Sequence, residues 1–528
     1  MCGIWTYISN DIIMKDYYEY FMKIKHRGPD ASIYTKINNV SIGFHRLSIL
    51  ETTFNANQPY MIDNTILICN GEIYNYKYLI NKYNLDIKND ADCLTILYLY
   101  KKLSIEDFIN VLKYEIKAEY SFLIFEFNNN NLSKIIASRD HIGVRPLYYG
   151  IDNNKNIIFS SELKGIPLDY NGTIKEFECG HLYINDIIKN DIKLIDYRYI
   201  YEITQLSNQN PFYYFKNIRK TLTKAIERRL LSDNNIEIGF LLSGGLDSSL
   251  ICSIASRIFK KKIKTFSIGF KDSTDLIYAK KVADFINSEH TEIIIKEDDA
   301  INSINDVIYT TCTYDITTIR ASTPQYLICK YIKENTNIKV IIGGDGSDEV
   351  LGGYIFNHKA PNEIEFDKGC KDFVEKIHLY DGRRLDRCTG FFGLEARLPY
   401  LDLDFIKCIW EIPSILRMPS RYNIEKYLLR KAFEGYLPLN CLYRKKEAFS
   451  DGISSKDKSW YITIQDKINN NIMREDCPTL ESSYYKSKFI EYFNENRCSI
   501  LNNYWQPLFI NNTNKYIDPS ARELKDIY

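Results

Sequence analysis

The stretch "IEIGFLLSGGLDSSLICSIASRIF", residues 236–259, decides the fold of the second half of the chain. A short run rich in Ile and Leu, too brief for a helix, reads as a buried strand. A Gly-Gly turn flanked by serines follows, and the sequence then takes up helical periodicity. A loop that leaves a strand and opens a helix points backbone N–H groups and a positive helix end at one spot, which suits a phosphate. Gly244 and Gly245 let the backbone approach an anion closely. Ser243, Ser248 and Ser249 add hydroxyl donors, and Asp247 suits Mg²⁺ held against phosphates. A Walker A loop requires GxxxxGK[ST], which the chain lacks, so the phosphate loop is of another type.

A helix is expected over 214–231 before this strand. After it come the strand "IKTFSIGF", a helix over 276–286, the strand "TEIIIK", another helix and the strand "KVIIGG". Alternating strands and helices predict an α/β domain built on a parallel sheet. Toward the N-terminus the pattern changes. "NVSIGFHRLSIL", "TILICNGEIYN", "YSFLIFEFN", "KIIASRD", "NIIFSSE" and "GHLYIND" are short β-rich runs separated by polar turns. Helical periodicity there is confined to 15–24 and 93–101, so an α+β sandwich is expected. The polar, Pro-terminated segment 201–212 reads as a linker. The division is therefore 1–200, a linker 201–212, and 213–528 with a helical, polar part beyond about Ser450.

With 528 residues the chain exceeds one core. Lys+Arg and Asp+Glu are 68 each, which gives no basic face for nucleic acid or anionic lipid. The N-terminus has no basic and apolar leader, and no run is long and apolar enough to span a membrane. Thirteen cysteines without paired spacing fit reduced thiols in a cytoplasmic protein rather than a disulfide framework or a zinc site.

"LLSGGLDSS" resembles the SGGxDS loop of the ATP pyrophosphatases, which adenylate a substrate and release pyrophosphate. A second acidic Gly-rich loop, "IGGDGSDEVLGGY" at 342–354, follows a later strand and offers Asp345, Asp348 and Glu349. By resemblance, the nucleotide lies against backbone at Leu242, Ile268, Gly343 and Gly344, with Asp247 and Asp348 toward the metal. "YDITTIRASTPQYL", "GLEARLPYLD" and "YRKKEAFSDG" resemble the asparagine synthetases, which adenylate the β-carboxylate of aspartate. That resemblance puts Arg320 in the adenylation pocket, where a guanidinium fork suits a carboxylate or phosphate. It puts Lys446 on the phosphates. Asp345 stands where many relatives carry Glu; it is expected to handle a proton or orient ammonia as the adenylate is attacked.

The start, "MCGIW", gains its meaning here. Removal of Met1 would make Cys2 residue one, and an α-amine with pKa near ~8 can take the proton of a thiol near ~8.5. "HRGPD", "HRLSIL", "NGEIYN", "DADC" and "RDHIGVRPLYYG" resemble the class II glutamine amidotransferase domain, an Ntn-type fold with an N-terminal cysteine nucleophile. With the second half, the resemblance spans nearly the whole chain: the glutamine-hydrolysing asparagine synthetase family. It implies Cys2 as nucleophile and Asn70 with the Gly71 N–H as oxyanion donors. It assigns glutamine recognition to Arg46, Leu47, Ser48, Ile49, Leu50, Asn70, Gly71, Glu72 and Asp92. The α-amine leaves His26 and His45 unnecessary as bases. Expected ligands are ATP, Mg²⁺, glutamine and aspartate, with no nucleic acid or membrane partner; a homodimer is compatible. Phosphoribosylpyrophosphate and fructose-6-phosphate amidotransferases would lack "SGGLDSS", and a β-lactam synthetase would lack the cysteine. A catalytically dead regulator is disfavoured because Cys2, Asn70, Asp247 and Asp348 are all present.

Overall fold

The computed structural model describes the chain except residues 12–13, 208, 260, 455–457, 469–472, 502–503, 510–517 and 521–528. In the first half, one six-stranded antiparallel sheet runs Gly172–Glu176, Tyr148–Asp152, Ile157–Ser160, Gly3–Ile8, Val40–Arg46, Ala31–Ile37 from edge to edge. A second runs Asp191–Asp196, His181–Asp186, Asn131–Arg139, Ala118–Asn128, Thr65–Ile73, Tyr60–Ile62. Side chains alternate between strand faces, and that alternation builds the layers. Along Gly3–Ile8, Ile4 and Ile8 join Ile42, Ile68 and Leu123 between the sheets, whereas Trp5 and Tyr7 join Phe21 and Ile24 on the outer face. Along Ala118–Asn128, Leu123 and Phe125 face the inter-sheet layer while Phe122 and Ile124 pack outward against the helix Leu94–Lys102. The expected sandwich is present.

Six strands add to the runs anticipated from sequence. Tyr60–Ile62 has only three residues, and Gly3–Ile8 is buried on both faces, so neither carries a polar alternation. The helices expected over 15–24 and 93–101 are Tyr18–Met22 and Leu94–Lys102. The helical reading beyond Ser450 meets Trp460–Ile468 and Leu480–Phe493, while its last residues, 521–528, lie outside the described ones.

The second half carries a five-stranded parallel sheet ordered Glu289–Ile295, Lys264–Phe270, Glu237–Leu241, Ile338–Ile342, Glu395–Arg397. The first three strands in chain order run to one side; the chain then crosses back and continues on the other. Strand order thus reverses between Glu237–Leu241 and Ile338–Ile342, where an open α/β sheet forms its ligand crevice. Glu395–Arg397, three residues inside "GLEARLPYLD", is too short to read as a strand.

A buried network of charges joins the halves. Arg27 Nη1 lies 2.7 Å from Glu162 and 2.9 Å from Asp386 of the helix Asp381–Phe391. Arg145 pairs with Glu119 at 3.0 Å and donates to the Ala396 carbonyl, while Arg397 lies 2.8 Å from Glu395 and 3.3 Å from Glu72. Arg229 reaches Glu119, and Arg383 reaches Glu176. All these side chains are buried. Arg27→Ala would leave the buried Glu162 and Asp386 without this partner, a loss expected to cost about 3–5 kcal/mol. Denaturant unfolding should report it, and an unchanged midpoint would contradict the pairing.

Candidate functional site

Cys2 precedes the strand Gly3–Ile8 and meets Thr65–Ile73 of the other sheet. Its N–H donates to Asn70 Oδ1 at 3.0 Å, Arg27 Nε donates to its carbonyl at 3.0 Å, and its Sγ lies 4.0 Å from the Leu47 carbonyl oxygen. Asn70 is fully buried, and its Nδ2 is a donor without a partner among the described residues. A Cβ at Gly71 would collide with the backbone of Glu119 and Tyr120, so Ala118–Asn128 approaches the strand Thr65–Ile73 this closely only across a glycine.

Met1 is buried, and its ammonium lies 3.5 Å from Glu395. Burial lowers the pKa of this amine to about 6, against the opposing pull of Glu395. Burial also pushes the Cys2 thiol up to about 11. With Met1 in place, Cys2 is therefore a neutral thiol on a peptide nitrogen that has no basic lone pair. Removal of Met1 converts that nitrogen, already fixed on Asn70, into an amine next to the thiol.

Arg46 is buried and donates to Thr53 O at 2.6 Å, to Asn57 Oδ1 at 2.7 Å and to Glu51 O. Leu47 and Ile49 are buried, Ser48 and Leu50 partly so. Glu72 is buried beside Arg397, and burial still holds its carboxyl well above the usual range. Asp92 accepts from the Ile73 N–H at 2.7 Å and is raised by burial to about 6. Neither histidine faces Cys2. His45 contacts Ser32 and Phe21 O through its two ring nitrogens, and His26 lies 3.2 Å from Glu162.

At the crevice of the parallel sheet, a cavity of about 220 Å³ is lined by Leu242, Ser243, Gly245, Asp247, Ser248, Ile268, Gly344, Asp345, Asp348 and Lys446, among others. The two Gly-rich loops touch: a Cβ on Gly344 would fall 2.8 Å from Ser248 N. Ser347 Oγ donates to Asp247 Oδ1 at 2.7 Å. Three residues of the two Gly-rich loops expected at the nucleotide do not line the cavity. Gly244 (φ +72°) packs against Tyr278 and Ala279, Ser249 is fully buried, and Gly343 donates its N–H to Arg397 O.

Arg320 also stays outside this cavity: its guanidinium is buried and held by Glu481 at 2.6 Å and Asp518 at 2.8 Å. It ties the helix Ile316–Asn335 to the C-terminal part. Asp345 is paired with Arg384, which lies 2.5 Å from Asp381 as well. Burial raises the Asp345 carboxyl, and Arg384 opposes it. Glu349 accepts from Tyr354 and lies outside the cavity lining.

Lys426 escaped the sequence reading. Its ammonium lies 2.6 Å from both Asp247 and Asp348, and Lys446 adds a contact to Asp348 at 2.7 Å. Against the cost of burial, these two lysines hold the Asp348 carboxyl well below its usual range. Nothing in "NIEKYLL" separates Lys426 from a surface lysine; only its left-handed φ of +56°, set by the fold, marks it. A cation between two carboxylates is the arrangement a divalent ion needs when phosphates complete its shell. Among the described residues no group of three or more His, Cys, Asp or Glu is placed to hold a metal alone.

The glutamine amidotransferase domain family matches residues 1–210, and the asparagine synthase family matches 217–369 and 359–509. A probable glutamine-hydrolysing asparagine synthetase of Acanthamoeba polyphaga mimivirus is 39% identical over 99% of both chains. The glutamine-hydrolysing asparagine synthetases of Rattus norvegicus and Homo sapiens are 36% and 34% identical, over 99% of this chain and 98% of theirs. With both family domains in order and relatives aligned from end to end, the chain belongs to the glutamine-hydrolysing asparagine synthetases.

Proposed function

We propose that the two sites act in series to make L-asparagine from L-aspartate, ATP and the amide nitrogen of L-glutamine. The Asn70 amide carries this reading: its oxygen fixes the Cys2 nitrogen while its buried Nδ2 is left for a substrate oxygen. Residues 1–200 hydrolyse glutamine, 201–212 link, and 213–528 form the adenylating half. Once Met1 is removed, the α-amine takes the Cys2 proton and the thiolate attacks the glutamine amide carbon. Asn70 Nδ2 and the Gly71 N–H stabilise the tetrahedral oxyanion. The C–N bond breaks to release ammonia, and water then cleaves the thioester to glutamate. Arg46 addresses the substrate carboxylate, Asp92 with the backbone near Glu72 its ammonium, and residues 47–50 form the wall beside Cys2.

In the second site, Leu242, Ser243, Gly245, Asp247 and Ser248 with Gly344 cradle ATP against Ile268, and Gly244, Ser249 and Gly343 act from behind the lining by holding the two loops in place. The aspartate β-carboxylate attacks the α-phosphorus, pyrophosphate leaves, and β-aspartyl-AMP remains. Lys446 neutralises phosphate charge. Asp247 and Asp348 would hold Mg²⁺, which supplies charge neutralisation on the leaving pyrophosphate. Ammonia then displaces AMP, with Asp345 orienting it or taking its proton. Arg320 acts on this pocket from behind, through the helix that carries Thr317 and Ala321 to its wall. The free state of all thirteen thiols supports a cytoplasmic location, and no helix among the described residues is long and apolar enough to cross a membrane.

The parent chain should form glutamate, AMP and asparagine together from glutamine, aspartate and Mg-ATP. Cys2→Ala should lower glutamine-dependent synthesis about a thousandfold or more while synthesis from ammonium salts persists. An N-terminal extension that keeps Cys2 peptide-bonded should do the same. Loss of both activities in a folded Cys2→Ala protein would refute the division of labour.

Asp345→Ala should slow asparagine formation from ammonia about a hundredfold, the scale expected when a reacting group is misplaced by ~1 Å. Asp345→Glu should retain most activity if the loop adapts to the longer side chain. Synthesis by Asp345→Ala at the parent rate would leave Asp345 as only a partner of Arg384.

A further inference from the structure

The strand Ile338–Ile342 reaches both sites. Its C-terminal end opens the loop Gly343–Gly344–Asp345 at the nucleotide cavity. Near its start, Lys339 leaves the sheet toward the other half. Its ammonium donates to Asp30 Oδ2 at 2.6 Å and to the Ser48 carbonyl at 3.2 Å. The same Asp30 oxygen accepts the Ser48 N–H at 2.7 Å. Ser48 is thus held at both its N–H and its C=O by one closed ring of three residues. Asp30, Arg46, Ser48, Asn57 and Lys339 all line a single cavity of about 490 Å³. Two residues before Ser48 stands Arg46, and the intervening Leu47 presents its carbonyl to Cys2 Sγ.

The geometry points to Lys339 as a positioning residue of the glutamine pocket, contributed by the synthetase half. This rests on the reading of the Cys2 site as a glutaminase. Lys339 touches neither Cys2 nor Asn70; it acts by fixing the Ser48 segment, and with it the aim of Arg46 and Leu47. Burial alone would raise the Asp30 carboxyl, yet Lys339 and the Ser48 N–H hold it below its usual range, so the ring is ionic at neutral pH. Lys339 and Asp30 are both about one-third exposed. A pair so exposed adds little to stability; its effect is on geometry.

The test uses the full chain and compares parent, Cys2→Ala, Lys339→Ala, Lys339→Arg and the exchange Asp30→Lys with Lys339→Asp. Loss of glutamine hydrolysis in Cys2→Ala establishes the glutaminase reading; without it, that reading falls first. Lys339→Ala should raise the glutamine KM roughly tenfold, since a displaced recognition group weakens substrate positioning. The rate of synthesis from ammonium salts and the melting temperature should stay at the parent values. Lys339→Arg should keep the parent KM, and the exchange should recover part of the loss. An unchanged glutamine KM in Lys339→Ala would overturn the assignment. So would parallel loss of glutamine- and ammonia-dependent rates with a lowered melting temperature, which would mark Lys339 as a structural residue only.

Discussion

The contact on which the architecture depends is the ion pair of Arg27 with Asp386, buried between the halves. A guanidinium and a carboxylate removed from water are tolerable only when paired and fully hydrogen-bonded. Arg27 meets that condition through Glu162, Asp386 and the Cys2 carbonyl together. The same residue therefore fixes the nucleophile's backbone and the docking of the second half. Asp386 belongs to the helix whose Arg384 holds Asp345. Two positions of one helix, about half a turn, thus separate a group facing the glutaminase from a group facing the nucleotide cavity.

The network repeats this pattern on the strand Glu395–Arg397. Glu395 lies beside the Met1 amine, while Arg397, two residues on, reaches Glu72 of the glutamine pocket. Burial would raise the Glu395 carboxyl, but Arg397 and the amine hold it down to about 2. Charges of both signs alternate through a buried interface, so neither half tolerates separation without exposing several of them. Such an interface suits a reaction in series. Ammonia must arrive with its lone pair free, and sites fixed to each other in one body shorten its exposure to bulk water.

Legibility in the sequence followed the range of the interactions involved. The loop at 241–249 could be read because strand, glycines and helix start are contiguous, and the structure places it at the switch point of the sheet. Cys2 and Asn70 were legible as motifs, although nothing local could place one at 3.0 Å from the other. Lys426 was invisible because its meaning comes from two carboxylates 179 and 78 positions away, at Asp247 and Asp348. Arg320 illustrates the converse: its surroundings read like a pocket motif, yet Glu481 and Asp518, more than a hundred residues on, claim the guanidinium. The strand Glu395–Arg397 exists because its parallel neighbour Ile338–Ile342 offers it an edge, and three residues alone carry no such signal.

Two chemistries meet across one buried interface. Their coupling shows when asparagine is made from amide-¹⁵N glutamine in a large excess of unlabelled ammonium and the isotope in the product is measured by mass spectrometry. If ammonia passes between the sites within the protein, asparagine keeps most of the label of the glutamine consumed. Dilution of the label to the level of the bulk ammonium would contradict the account.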